Sequence, residues 1–541
     1  MHFPSRLRGI LILSGFLGSA TVAFAADVTT TNPPASGTAK TPAATANSPA
    51  LSDALSANTP SPVSEAKAPQ IENTVVKVFA TVRRPDLGRP WAKSAPTDVT
   101  GSGVIIEGKR ILTNAHVVGY ASQVQVQANQ SGEKISAEVE AIAHGIDLAI
   151  LKLEDESFFE TRPPLERATA LPDIKEPVMA YGYPTGGTSL SITKGIVSRI
   201  EFAGYGHSTA GLRIQIDAAI NSGNSGGPAI AGDKMIGLAF SHLGGAQNIG
   251  YIIPNEEVDI FLADVADGNY DGKPAMHDEL QTLENPALRA YLGLKKDVQG
   301  IIVHEPYGDD ASYPLKPWDV ITHIGDTPID EQGMIKLGTN LRVRFQYLVQ
   351  QIARDGKVPL TVIRQGNTIP IELPVPKDRP FLVSSLRGAY PSYFVFGPLV
   401  FSTATAELID GISSNAAILR MFAAIGNPLV VRSGDRPQFP GESLVVVSSP
   451  FFPHKLSKGY SNPIGRVVES VNGTRIKNLV HLVETLREVK DEFVVIEFGG
   501  RNDEVLVLPR KDCVAATEEI LSDNGVRAQG SPETLKVWEG K

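Results

Sequence analysis

The chain has 541 residues, enough for about three or four domains, and 42% hydrophobic against 20% charged residues is the balance of a protein with packed cores. Fifty Lys and Arg against 59 Asp and Glu leave a formal charge of −9, which argues against broad capture of nucleic acid and against an anionic membrane surface as partner. The single cysteine, Cys513, excludes an intramolecular disulfide, a cysteine zinc cluster, an iron–sulfur centre and a CxxC redox pair.

In chain order, the first element is a processing signal. Arg6 and Arg8 precede an apolar stretch from Gly9 to Val22 that is too short to cross a bilayer. Ala23-Phe24-Ala25 then supplies the small-x-small end of a secretory cleavage site. Residues 1–25 read as a signal peptide cleaved after Ala25, with no cysteine there for lipid attachment and no twin-arginine pair. The mature protein is expected to be exported, to the periplasm, without a membrane anchor. Residues 26–69, rich in Ala, Thr, Pro and Ser, hold too little large apolar surface to offset ordering entropy and read as a disordered linker.

From Ile71 the pattern changes to short β-branched runs broken by Gly, Asn and Pro, among them TVVKVFATV, GSGVIIEG, DLAILKL, KMIGLAF and NIGYIIP. Strands of this length with frequent turns predict a mainly β double barrel over residues 70–262, with a cleft between its halves. A connecting helix, NEEVDIFLADVAD, is expected to follow.

The remainder holds an internal repeat. Residues 318–329, WDVITHIGDTPI, align without a gap with residues 465–476, GRVVESVNGTRI. Each copy reads as strand, tight turn and strand, and Asn472-Gly473 is a strong hairpin signal. An amphipathic helix follows each copy, with Phe345, Leu348, Val349 and Ile352 on one face and Leu479, Leu482, Val483 and Leu486 on the other copy's face. Two homologous modules are therefore expected over residues 275–377 and 385–515. Residues 516–541 are left as a C-terminal tail with a short helix.

The chemistry concentrates in Gly223-Asn224-Ser225-Gly226-Gly227-Pro228. A serine hydroxyl is a weak nucleophile that needs an adjacent base, and its tetrahedral intermediate needs converging amides. The glycines permit the tight turn that brings such amides together, and the donors are assigned to Gly223 and Ser225. Thr113-Asn114-Ala115-His116 puts an imidazole, whose pKa suits proton exchange, after a hydrophobic strand. Asp147, at the mouth of the strand LAILKL, can orient that imidazole. A glycine loop, a lone histidine or a turn aspartate each has structural readings; the order His–Asp–Ser joins them.

TNAHVV, the Asp147 strand, IQIDAAINSGNSGGP and NIGYIIP closely resemble the HtrA (Deg) branch of the chymotrypsin-like serine proteases. The resemblance covers about Ile71 to Ile260. It implies a trypsin-like double β-barrel, the triad His116, Asp147 and Ser225, and PDZ (α+β) identity for both repeats. The second repeat, with SYFVFGPLVF and ESLVVVSS, resembles the plant-type Deg branch. Trimers or multiples of trimers are implied, as are unfolded polypeptides and peptide C-termini as partners.

Several positions refine that expectation. Trypsin-like enzymes activated by clipping carry Asp where Asn224 stands, so a zymogen ion pair is not expected. The loop Tyr181–Leu190 is either an ordering switch or a plain surface loop. Ala219, six residues before Ser225, offers no carboxylate to a basic substrate side chain. Ala219, Ile220 and Ser241 are expected to line a neutral slot, giving cleavage after small or medium aliphatic residues. Tyr291-Leu292-Gly293-Leu294 is expected to be the carboxylate-binding loop of the first module. Its counterpart Phe396-Gly397-Pro398-Leu399 lacks one donor at Pro398, predicting weak C-terminus binding or an assembly role. No phosphate-loop motif or metal-ligand spacing such as HExxH is present, so no cofactor or metal is expected. The expected function is an ATP-independent serine endopeptidase acting on unfolded or damaged proteins in quality control. The alternative is a PDZ-based chaperone or binding scaffold with little turnover.

Overall fold

The structure, a computed structural model, describes residues 71–541 except 207–208, 241–248, 309 and 339–340. The expected signal peptide and linker lie outside the described residues.

Two closed six-stranded barrels come first. The first contains β1 (Val75–Val82), β2 (Thr97–Ile106), β3 (Arg110–Thr113), β4 (Ala121–Ala128), β5 (Ile135–Ala143) and β6 (Leu148–Leu153), in the order β1-β2-β3-β6-β5-β4. The second contains β7 (Pro177–Gly182), β8 (Ser191–Gly206), β9 (Thr209–Ile216), β10 (Pro228–Ala231), β11 (Lys234–Phe240) and β12 (Gly250–Pro254). Alternation sorts their side chains. Val76, Val78 and Val126 fill the first barrel, while Val75 and Val104 face outward. There they meet Tyr181, Ile230 and Leu238 of the second barrel. A one-residue slip in β1 would exchange these two faces, so burial on both sides fixes its register. Helix α1 (Ala115–Val118) caps β3, and α2 (Asn255–Asp264) leaves β12 and closes the second barrel with Val258 and Phe261.

The first downstream module is a sheet ordered β13-β14-β15-β19-β20, where β13 is Glu279–Thr282, β14 Ile301–Glu305 and β15 Val320–Ile324. The short β16 (Thr327–Pro328) pairs with β15, and β17 (Met334–Leu337) forms a hairpin with β18 (Leu341–Arg344). β19 is Lys357–Arg364 and β20 Asn367–Pro374. Its helices are α3 (Pro286–Tyr291) and α4 (Gln346–Ile352), the latter buried through Val349 beside Phe345.

The second module repeats the plan around β21 (Tyr393–Phe396), β22 (Leu399–Thr403), β23 (Val445–Val447) and β24 (Val467–Val471), with β25 (Thr474–Arg475) paired to β24. β26 (Phe493–Gly499) and β27 (Leu506–Pro509) complete its sheet. Three helices intervene between β22 and β23: α5 (Ala406–Ser413), α6 (Ala416–Ala424) and α7 (Pro428–Val431). α8 (Leu479–Glu488) buries the expected Leu479, Leu482, Val483 and Leu486. The mainly β double barrel with two sheet-and-helix modules is thus present.

Residues 516–541 are not a loose tail. After α9 (Arg510–Ala515), α10 (Thr517–Asp523) buries Ile520 and Leu521 with Tyr393, Val395 and Val400. The Val395 amide donates to Gln529 O at 2.7 Å, and Phe394 bridges Gly530. α11 (Pro532–Trp538) then sets the Trp538 ring 5.1 Å from that of Phe394. Exposed apolar residues on β21 would invite unwanted pairing, and this segment covers them. Cys513, fully buried, has its thiol pushed up to about 12 by burial, so it is a packing residue.

A buried ion pair ties the first module to the second barrel. Lys273 Nζ donates to Glu257 Oε2 at 2.7 Å and to Ala210 O at 2.6 Å, while Glu257 Oε1 accepts the Leu212 amide at 2.6 Å. The two side chains are 4% and 1% exposed. Removing one partner strands a buried charge, at about 3–5 kcal/mol. Lys273→Met should therefore lower the unfolding midpoint sharply, and adding Glu257→Gln should recover much of the loss. A Lys273→Met chain as stable as wild type, read by calorimetry, would contradict this.

Candidate active site

The imidazole and the carboxylate arrive from neighbouring strands of the first barrel. β3 pairs with β6, which sets the turn after one strand beside the turn before the other. His116 sits in the one-turn helix α1 rather than at a strand end. Its Nδ1 lies 2.7 Å from Asp147 Oδ2, and its own amide donates to Asp147 Oδ1 at 2.8 Å. Asn114 Nδ2 holds the Asp147 carbonyl at 2.8 Å. Asp147 pays for this triple contact with a φ of +60°, a left-handed conformation unusual for a residue with a side chain. The ring's other edge is open, since the His116 side chain is 45% exposed and that of Asp147 21%.

Ser225 approaches from the second barrel on a loop sewn to the first. The Ser102 amide of β2 donates to Ser225 O at 2.8 Å. Ser102 Oγ donates to Gly223 O at 2.7 Å and accepts the Tyr183 amide at 2.8 Å. Thr113 Oγ1, three residues before His116, donates to Ser102 O at 2.7 Å. A side chain added at Gly101 would meet Val117 Cγ1 at 2.8 Å and Ser225 O at 3.3 Å. The residue following His116 and the carbonyl of Ser225 therefore flank one point of β2.

The loop geometry demands its glycines. Gly226 has φ +86°, and a Cβ there would lie 2.1 Å from Ser102 O. Gly223 has φ +98°, with the same atom 2.4 Å from Tyr183 O. The amides of Asn224, Gly226 and Gly227 donate to Asn221 O, Ala239 O and Asn224 O. Among the described residues no acceptor takes those of Gly223 or Ser225, the two assigned as oxyanion donors.

Comparison with known proteins bears on the family. Residues 101–238 match the family model of a trypsin-like peptidase domain, and residues 384–533 that of a PDZ domain. The mitochondrial Protease Do-like 4 of Arabidopsis thaliana is 37% identical over 454 residues, which cover 83% of this chain and 83% of that protein. The chain belongs to the Do-like (HtrA/Deg) family of serine proteases. The chloroplastic Protease Do-like 2 of the same plant is 35% identical, covering 86% of this chain and 76% of its own length. A solved HtrA-type protease, AlgW with a tripeptide, aligns over 57% of this chain and 96% of its own at 25% identity, with a TM-score of 0.45. The protein is a Do-like serine endopeptidase.

Asn224 of this Do-like protease is fully buried, with neither side-chain amide atom partnered among the described residues. In the loop Tyr181–Leu190, Tyr181 and Gly182 belong to β7 and Tyr183 is buried. The Thr185 amide donates to Ser222 O at 2.8 Å, and Lys77 Nζ to Gly187 O at 2.7 Å. That loop is bound to both the nucleophile loop and the first barrel. Of the expected slot residues, Ala219 is exposed, with its carbonyl held by Thr193 Oγ1 at 2.9 Å. Ile220 packs over Gly250, where an added Cβ would lie 2.8 Å from its Cδ1. Ser241 lies outside the described residues.

The carboxylate loop of the first module needs correction. A carboxylate needs free amides, but those of Leu292, Gly293 and Leu294 donate to Leu288 O, Ala290 O and Arg289 O. Residues 291–294 are the C-terminal turn of α3, and Tyr291 points outward against the Trp318 ring. By strand order, β22 of the second module corresponds to β13 of the first. The turn Phe396–Leu399 before β22 therefore corresponds to residues 271–278 before β13. In the second module β21 itself lies along β22 beside α8, in the place a strand-adding peptide would take. Its own strand, more than the missing donor at Pro398, closes that groove.

Sequence reasoning passed over Ser102 and Thr113, whose hydroxyls have no motif; only their position on strands bracketing the His116 turn marks them. Ser102→Ala leaves Gly223 O and the Tyr183 amide unpaired, each a penalty of about 1–3 kcal/mol. The variant should fold yet lose roughly tenfold or more in kcat, with KM little changed. Unchanged kcat in steady-state assays would contradict the assigned bridging role.

Proposed function

We propose that His116, Asp147 and Ser225 are the working triad of this endopeptidase and that its substrates are unfolded or damaged polypeptides. The observation that carries the reading is the bidentate hold of Asp147 on the His116 ring and amide. With its Nδ1 proton directed to Asp147, the ring offers Nε2 as base. Ser225 Oγ attacks the scissile carbonyl carbon while His116 takes the hydroxyl proton. The amides of Gly223 and Ser225 receive the oxyanion. Collapse breaks the C–N bond, and His116 returns the proton to the leaving amine. Water, deprotonated by the same imidazole, then hydrolyses the acyl-enzyme and restores Ser225. Asp147 stabilises the imidazolium formed in each half-reaction.

Ala219 and the buried Ile220 support a neutral apolar slot and cleavage after Ala, Val or Leu. The N-terminal pattern supports export to the periplasm, and the family resemblance supports trimers or their multiples. The resemblance also supports a role in protein quality control without ATP.

Digestion of denatured casein, with the new C-termini identified by mass spectrometry, tests this. Wild type should cut without ATP, with aliphatic residues dominating the cut positions. Ser225→Ala should lose at least roughly 10³-fold. Equal cutting by Ser225→Ala would remove the nucleophile assignment, and no cutting by either chain would leave the scaffold reading. Dominant Lys or Arg at the cut would reject the slot.

A further inference from the structure

A cavity of about 710 Å³ lies where the β8–β9 hairpin, residues 270–277, α4 and the segment 377–387 meet. It is separate from the His116–Asp147 contact, although His144 and Gly145 contribute to its wall. Its charge is opposite to that of the chain. Five cations line it, Lys273, Arg344, Lys377, Arg379 and Arg387, against the three carboxylates Glu201, Asp271 and Asp378. Three of those cations are engaged: Lys273 with Glu257 at 2.7 Å, Lys377 with Asp264 at 2.5 Å and Arg387 with Asp378 at 2.7 Å. Glu201 is likewise taken, by Arg213 at 2.7 Å.

Arg344 and Arg379 have no carboxylate partner among the described residues. Arg344 is exposed to the cavity mouth. Arg379 is set over the Phe381 ring at 4.8 Å, which orients its guanidinium, and its Nε is buried without an acceptor. Nε2 of His277 on the same wall is also buried without a partner. Burial, reinforced by Arg379 and Arg436, pulls the His277 imidazole down to about 4, so it adds a neutral polar edge rather than a charge. Unpaired guanidinium donors in a partly enclosed site favour an anion, most of all a planar carboxylate.

The strand beside this cavity indicates the shape of its occupant. Among the described residues β13 is the edge of its sheet, paired only to β14, and Ala275–His277 lead from the cavity into it. Gln346 and Gln350 of α4 also line the cavity. An extended chain added to the open side of β13 would run its end toward Arg344 and Arg379.

We propose that the first module selects peptides with acidic C-terminal ends, the terminal carboxylate and a neighbouring Asp or Glu being received by Arg344 and Arg379. This rests on reading the β13–α4 groove as the module's peptide site, and it adds a charge preference to that reading. Fluorescence anisotropy on the full Ser225→Ala chain, which leaves peptides uncut, provides the test. The probes are a labelled hexapeptide ending in Glu-Asp, its Gln-Asn counterpart, and the acidic peptide amidated at its end. The acidic free peptide should bind about tenfold more tightly than either control at low salt. The advantage should fall to about twofold in Arg344→Gln, an exposed position that leaves folding intact, and vanish in Arg344→Gln/Arg379→Gln. Equal affinity for the Gln-Asn peptide would overturn the acidic preference while leaving the groove. Equal affinity for the amidated peptide would overturn capture of the terminus. Absence of binding by all three would overturn the groove reading as well.

Discussion

The site depends on one hydroxyl-bearing residue that both barrels share. Ser102 belongs to β2 of the first barrel, yet three of its four polar bonds reach the loops of the second, at Ser225 O, Gly223 O and the Tyr183 amide. The fourth returns to Thr113, on the strand that carries His116. Two barrels joined only by apolar burial could slide, because the hydrophobic effect has no direction. Directional bonds inside the buried seam remove that freedom. Ala149 pairs with Thr113 across β3 and β6, so the Asp147 turn is referred to the same strand. The backbones that carry His116, Asp147 and Ser225 are thus indexed to a common pair of strands.

The two downstream modules share a sheet order and differ in what lies on its edge. The second fills its own groove with β21 and then covers β21 with residues 529–534. Trp91, in the loop between β1 and β2 of the first barrel, packs on the same surface, 5.5 Å from Phe452. The first leaves β13 unpaired on one side and surrounds its approach with arginines, a surface arranged to receive a chain. Glu257 and Lys273 hold this surface against β9 of the second barrel.

What could be read from sequence divides by the range of the interactions involved. The barrels were legible because strand periodicity acts over a few residues, and His116, Asp147 and Ser225 could be singled out because their motifs are equally local. The loop at Tyr291–Leu294 was misread because its amides are consumed locally by a helix. The signs of that helix were present: Asn285 as cap, Pro286 at the first turn and Gly293 at φ +63° past the end. Likewise Thr405, Asn415 and Asn427 cap the three helices between β22 and β23, a pattern visible in sequence once sought. Ser102 was beyond reach, since its partner Gly223 lies 121 residues away and no local pattern encodes the contact. The packing of residues 516–541 is long-range in the same sense, for Thr534 bonds Tyr393 across 141 positions.

The most direct measurement is active-site labelling of the full, assembled chain with a fluorophosphonate in the presence of an unfolded substrate, followed by peptide mapping. The account predicts one modified residue, Ser225, with labelling abolished by Ser225→Ala and strongly slowed by His116→Ala. Continued proteolysis with Ser225 unmodified, or modification of a different serine, would contradict it.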